Sequence, residues 1–146
     1  MKNINLLALS AMLVCCLSSC TSIQVSALDP SLNLQHICIE NNPKVIVGDF
    51  LGVLEDGFTR HGISVRPFYS DKPEGCEYVL RYTALQSWDI ATYLSHAELR
   101  IYKDDMQVAS AIYHHEGKGG FDLSKWKGTK AKMDPVIDEL LSKKQP

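Results

Sequence analysis

Residues 1–20 set the terms for everything downstream. Met1 to Asn5 carries a single positive side chain, Lys2, and Leu6 to Leu17 is an unbroken run of twelve apolar or small residues. As a helix that run rises about 18 Å, well short of the ~30 Å hydrocarbon core of a bilayer. A basic start, a greasy centre and a small-residue exit describe an export signal rather than a retained membrane span. The expectation is that this segment takes no part in the fold, and that the remainder folds in an oxidising compartment.

The exit specifies the kind of signal. Leu17-Ser18-Ser19-Cys20 resembles a bacterial lipobox: a large apolar residue, two small ones, then cysteine. The resemblance implies a diacylglyceryl group on the Cys20 thiol, cleavage just before Cys20, and acylation of the new amine. Cys15 and Cys16 do not compete, because two small residues do not precede them. Two or three acyl chains hold a protein stably, at about 0.8 kcal/mol per buried methylene. Thr21, not Asp, follows the cysteine. By resemblance to sorted lipoproteins, that implies an outer membrane lipoprotein facing the periplasm of a Gram-negative cell. The expected segments are a signal peptide over 1–19, a lipid-anchored tether over 20–35 and a single α+β periplasmic domain over 36–146.

Composition narrows the class further. The 146-residue chain has a formal charge of −2, which becomes −3 once the signal with Lys2 is removed. Nothing there supports a nucleic-acid-binding surface. Hydrophobic residues make up 45% of the chain, too many for a disordered one. Lysines at 118, 125, 127, 130, 132, 143 and 144 crowd the C-terminal part. They read as a solvated face, or as a basic patch facing anionic headgroups or a partner. Thr21 to Gln35 lacks a sustained period and reads as a tether, the alternative being that Ile23, Val25 and Leu32 pack onto the domain as an edge segment.

Periodicity predicts β-α-β-β-β-β-α. His36–Glu40 alternates as a strand, with Ile37 and Ile39 inward. Val47, Phe50, Leu51, Leu54 and Phe58 fall at helical spacing, with Asp49 as N-cap and Gly62 ending the helix. Further strands are expected at 63–68, 77–85, 93–102 and 107–115, with a turn or bulge over 86–92 and a hairpin turn at Lys103-Asp104-Asp105. On the fourth strand Tyr93, Ser95, Ala97, Leu99 and Ile101 share a face. Met133, Val136, Ile137, Leu140 and Leu141 make a last amphipathic helix, with Asp134-Pro135 at its start. The expected fold is a two-layer α+β domain. A mainly antiparallel sheet of four to five strands carries both helices on one face. The other face is partly wet, bearing Arg81, His96, Glu98 and Arg100.

Cys38 and Cys76 remain as an even pair, expected to form a disulfide in the periplasm. Other groupings are weak as chemistry. His114 and His115 are neighbours on a strand and point to opposite faces, and His36, His61 and His96 lie elsewhere, so no metal site is expected. Gly117-Lys118-Gly119-Gly120 lacks the ending and the following helix of a phosphate loop. Ser87-Trp88-Asp89 has no base poised beside the serine. Asp104-Asp105 and Glu55-Asp56 fit a turn and a solvated helix face. No catalytic residue and no cofactor is expected. Trp88 and Trp126 are the candidate partner-binding residues, because tryptophan is favoured at binding hot spots.

The lipobox, His36-Ile37-Cys38-Ile39-Glu40-Asn41-Asn42-Pro43, the stretch from Asp49-Phe50-Leu51 through Glu55-Asp56-Gly57-Phe58 to His61-Gly62, and Ser87-Trp88-Asp89 with Tyr93-Leu94-Ser95-His96-Ala97 resemble a family of small uncharacterised proteobacterial lipoproteins. The layout is more loosely similar to accessory periplasmic lipoprotein domains of curli secretion, peptidoglycan-synthase activation and transport. The resemblance implies a non-enzymatic accessory or adaptor lipoprotein that is attached to the membrane by its lipid and binds an envelope protein. The alternative is a lipoprotein that binds a small ligand, a lipid or cell-wall fragment. Neither reading sets an oligomeric state.

Overall fold

The computed structural model of the chain describes residues 21–116 and 123–142. Cys20, the rest of the signal segment, the glycine run at 117–120 and Lys143 and Lys144 lie outside the described residues. The elements are strands β1 (Thr21–Ser26) and β2 (His36–Glu40), helix α1 (Phe50–Arg60), strands β3 (Ser64–Phe68), β4 (Tyr78–Asp89), β5 (Ala91–Lys103) and β6 (Met106–His115), a 3₁₀ turn (Leu123–Trp126), and helix α2 (Thr129–Leu140).

The fold is α+β, and its sheet has six strands in the order β1-β6-β5-β4-β2-β3. It is mixed and mainly antiparallel, and its six strands correct the expected count of four to five. β2 runs parallel to both β3 and β4, while β4, β5, β6 and β1 form antiparallel pairs. Inserting β2 between β3 and β4 explains its composition. Ile37, Cys38 and Ile39 are all fully buried, as a strand covered on both faces requires.

The sixth strand comes from the segment expected to be a tether. Thr21–Ser26 pairs along β6 from His115 to Ser110, and Leu28 is buried in the core. The Leu28 N–H donates to the Leu140 carbonyl at 2.9 Å, and Leu32 and Leu34 pack against the core. The edge-segment alternative therefore describes residues 21–35. A polar strand with only Ile23 and Val25 as apolar anchors has little propensity of its own, and the ladder with β6 supplies the rest.

One sheet face and the two helices enclose the core. α1 contributes Phe50, Val53, Leu54 and Phe58, and α2 contributes Met133, Val136, Ile137 and Leu140. Both sets follow the helical stripe spacing. The helices approach closely at Gly57, where a Cβ would collide with Ile137 Cδ1. Two helix starts differ from expectation. Asp49 is the N-cap of α1 but sits at φ 56° and makes no side-chain cap bond. α2 begins at Thr129, not at Asp134-Pro135, and keeps Pro135 inside it. Packing of Lys132 and Met133 holds that early turn in place despite the hydrogen bond that proline removes.

On the opposite sheet face Cys38, Phe68, Cys76 and Val79 form a second, smaller cluster. Cys38 and Cys76 are disulfide-bonded, with Cα atoms 5.7 Å apart and a sequence separation of 38. The bond pins the 69–77 loop across the end of this face.

Candidate functional site

The β4–β5 hairpin outgrows its sheet. The last pairing of β5 with β6 is His96 with His114, yet β4 and β5 continue pairing each other to Asp89 and Ala91. The register shifts after Leu85, leaving Ser95 as an extra residue whose hydroxyl donates to the Leu85 carbonyl at 3.2 Å. This bulge re-aims the strand and reverses its alternation. It is why Leu94, and not Tyr93 or Ser95, joins Ala97, Leu99 and Ile101 in the core. The segment read as a turn or bulge is thus a bulge followed by a projecting hairpin.

The hairpin tip is apolar and exposed. Trp88 is 74% exposed and Ile90 76%, with Leu85 and, on the adjoining 3₁₀ turn, Leu123 also exposed. Ile90 turns the chain at φ 63°. A β-branched residue in that left-handed region is an outlier, at a cost of about 1–2 kcal/mol.

The hairpin is fastened to the body by polar contacts both at its tip, through Asp89, and near its base, through Leu94. Trp126 Nε1 donates to the Asp89 carbonyl at 3.0 Å, and Lys125 pairs with the Asp89 carboxylate. Lys132 of α2 is buried; its Nζ donates to the carbonyls of Leu94 at 3.0 Å and Lys125 at 2.5 Å, facing the rings of Tyr93 and Tyr113. The two tryptophans therefore meet at one tip in different roles, Trp88 outward and Trp126 as a half-buried buttress. Sequence reasoning missed Lys132, which looked like one of a run of surface lysines. Its i+4 spacing to the buried Val136 was the available signal. Among the described lysines of the basic run, Lys130 also makes intramolecular contacts, pairing with Asp134 and Asp56.

The uncovered sheet face carries the expected wet residues in a charged ladder. His96 Nε2 lies 3.1 Å from Glu98 Oε1, Arg100 donates to Glu98 at 2.5 Å, and Arg81 donates to Glu40 at 2.8 Å while stacking over Tyr102. The bond to Glu40 raises the Arg81 pKa above its usual value. Beside them Glu40, Asn42, Arg81, Glu98 and Arg100 border an open cleft of about 340 Å³. His96 and His114, expected to lie apart, are cross-strand partners with Nδ1 atoms 3.3 Å apart. His114 is exposed and its neighbour His115 buried, the alternation anticipated for adjacent strand residues.

His36, Cys38 and Cys76 are the one group of three metal-ligand types that clusters among the described residues, with donor atoms within 4.8 Å. The disulfide occupies both sulfurs, which leaves His36 as the sole donor there. His36 is itself held by Ser64 Oγ at 2.8 Å. Among the described residues no helix is long and apolar enough to cross a membrane.

No family model and no curated protein matches this chain. Solved structures do. A variant of PelC from Paraburkholderia phytofirmans, crystallised as a dodecamer, is similar over 86% of this chain and 99% of its own, at 12% identity and a TM-score of 0.52. A second PelC dodecamer structure from the same organism is similar over 82% of this chain and 95% of its own, at 10% identity and a TM-score of 0.56. At such identities the likeness concerns the fold.

Proposed function

We propose that this chain is a lipid-anchored envelope protein of the outer membrane that acts without catalysis, as an adaptor holding an envelope protein close to the bilayer. The observation that carries the reading is that the sheet starts at the residue directly after the candidate lipidation site. Thr21, next to the candidate lipidation site Cys20, is already paired in the sheet with His115. A domain so tethered presents fixed surfaces at high effective concentration, so modest contacts suffice. Two surfaces are open to a partner. One is β1, the edge strand of the sheet among the described residues, which has neither proline nor charge to block strand addition. The other is the charged face of Arg81, Glu98 and Arg100. The PelC structures, being dodecamers, support counting further copies of this chain among the candidate partners.

The test is photo-crosslinking in cells from positions 22 and 24 on the β1 edge. A discrete adduct that disappears in Cys20→Ala is expected. Crosslinks no more specific than those from exposed positions on α1 would sink the adaptor reading.

Binding of a small ligand is the second reading, and the open cleft favours it. Arg81, Arg100 and Asn42 suit an anionic or sugar-bearing cell-wall fragment. Titration with muropeptides should then shift amide resonances of Arg81 and Arg100, and unchanged spectra would remove this reading.

A further inference from the structure

We propose that the β4–β5 tip is a bilayer-contacting element: with Cys20 acylated, Trp88 and Ile90 occupy the headgroup–acyl boundary of the phospholipid leaflet that holds the anchor. The inference rests on the lipoprotein reading above and adds a second, protein-made contact to it.

Three observations converge on this end of the sheet. The first is direction. β1 starts at Thr21 opposite His115, β6 ends there, and β4 runs the same way towards the tip. The chain therefore leaves towards Cys20 at the end where the hairpin projects. Beyond the level of Thr21 the tip extends three to four further residues, about 10 Å at ~3.3 Å per residue. The polar zone on each side of the hydrocarbon core is roughly 5–8 Å deep. A domain moored at Thr21 thus has a projection long enough to cross it.

The second is composition. Trp88 and Ile90 at the tip and Leu123 beside it are all more than 70% exposed. Tryptophan in particular favours the membrane–water boundary, where an apolar ring and a polar N–H are both accommodated. The third is strain. Ile90 pays for a left-handed backbone that glycine or asparagine would adopt at little cost, and its exposed side chain recovers nothing from the fold. A bilayer at this end would bury that exposed side chain.

The experiment uses the full chain, purified from membranes and reconstituted in phosphatidylethanolamine–phosphatidylglycerol vesicles with or without bromine on the upper acyl chain. The emission lost in Trp88→Phe isolates Trp88 from Trp126, the other tryptophan in the chain. Trp88 is exposed, so this variant should fold, checked by its circular dichroism and its intact disulfide. Brominated lipid is expected to reduce the Trp88 component at least twofold, and Ile90→Asp to restore most of it. Mass spectrometry of the Cys20 peptide separates the two claims. Acylated Cys20 with unquenched Trp88 overturns the tip contact, leaves the lipoprotein reading standing, and frees the tip for a protein partner. A bare Cys20 overturns the lipoprotein reading, and this proposal with it.

Discussion

At one end of β5 the chain turns through Ile90, at the other through Asp104-Asp105. Ile90 has φ 63°, Asp104 φ 46° and Asp105 φ 64°, so both turns use the left-handed region. Aspartate tolerates it, because a short polar side chain bonds locally and stays hydrated. The Asp104-Asp105 end also lies beside the disulfide, since Cys76 precedes Glu77, whose carbonyl accepts from the Asp104 N–H at 3.4 Å. Among the described residues, Lys132, Lys125 and Trp126 hold the Ile90 end by polar contacts. One end is a rigid polar closure. The other trades backbone comfort for exposed apolar surface on a non-covalent mount.

Removing the disulfide should have the largest effect. Cys38→Ala with Cys76→Ala is expected to cost about 2–4 kcal/mol of stability. Urea unfolding with and without reductant would measure it, and a change under 1 kcal/mol would show that the polar end needs no staple. Next comes the mount at the other end. Lys132→Ala removes the donor shared by the Leu94 and Lys125 carbonyls and should cost about 1–3 kcal/mol. Trp126 emission should shift to the red as its bond to Asp89 loosens. An unshifted spectrum would mean that the 3₁₀ turn holds itself in place.

The turns themselves can be exchanged in kind. Ile90→Asn should raise stability by on the order of 1 kcal/mol by relieving strain, and Asp104→Asn should change it by a few tenths at most. Equal responses in thermal melts would erase the contrast. The smallest effect lies away from both ends, where α1 meets α2. A hydrogen bond from His61, followed by one from Arg60, holds the Asp138 carboxyl below its usual 3.8. A folded-state value below the unfolded one adds stability that is complete above the unfolded value and is lost as pH falls through the folded one. The loss should appear below roughly pH 4 and be small, because the groups are partly exposed. Asp138→Asn should flatten that part of the stability–pH profile.

Local pattern exposed much of this architecture. Alternation marked β2 to β6, helical spacing marked both helix faces, and two cysteines in a chain read as exported pointed to their bond. The tip was visible only as two tryptophans, and its geometry was not. Ser95 reads as an ordinary strand residue until the β4 register makes it a bulge. His96 and His114 are 18 residues apart in sequence and adjacent in space. β1 lacked a pattern strong enough to separate it from a linker.

What the sequence determined by itself was periodicity and chemistry: which side chains are apolar at which spacing, and where the thiols are. These follow from neighbours within a turn or a strand. Only the tertiary structure decided that β2 lies between two parallel partners, that Thr21 is already in the sheet, that Lys132 is buried and that Trp88 and Ile90 project beyond it. Each of those depends on pairings between distant segments. A strand's partner and register are chosen by the whole sheet's burial, which no local window contains.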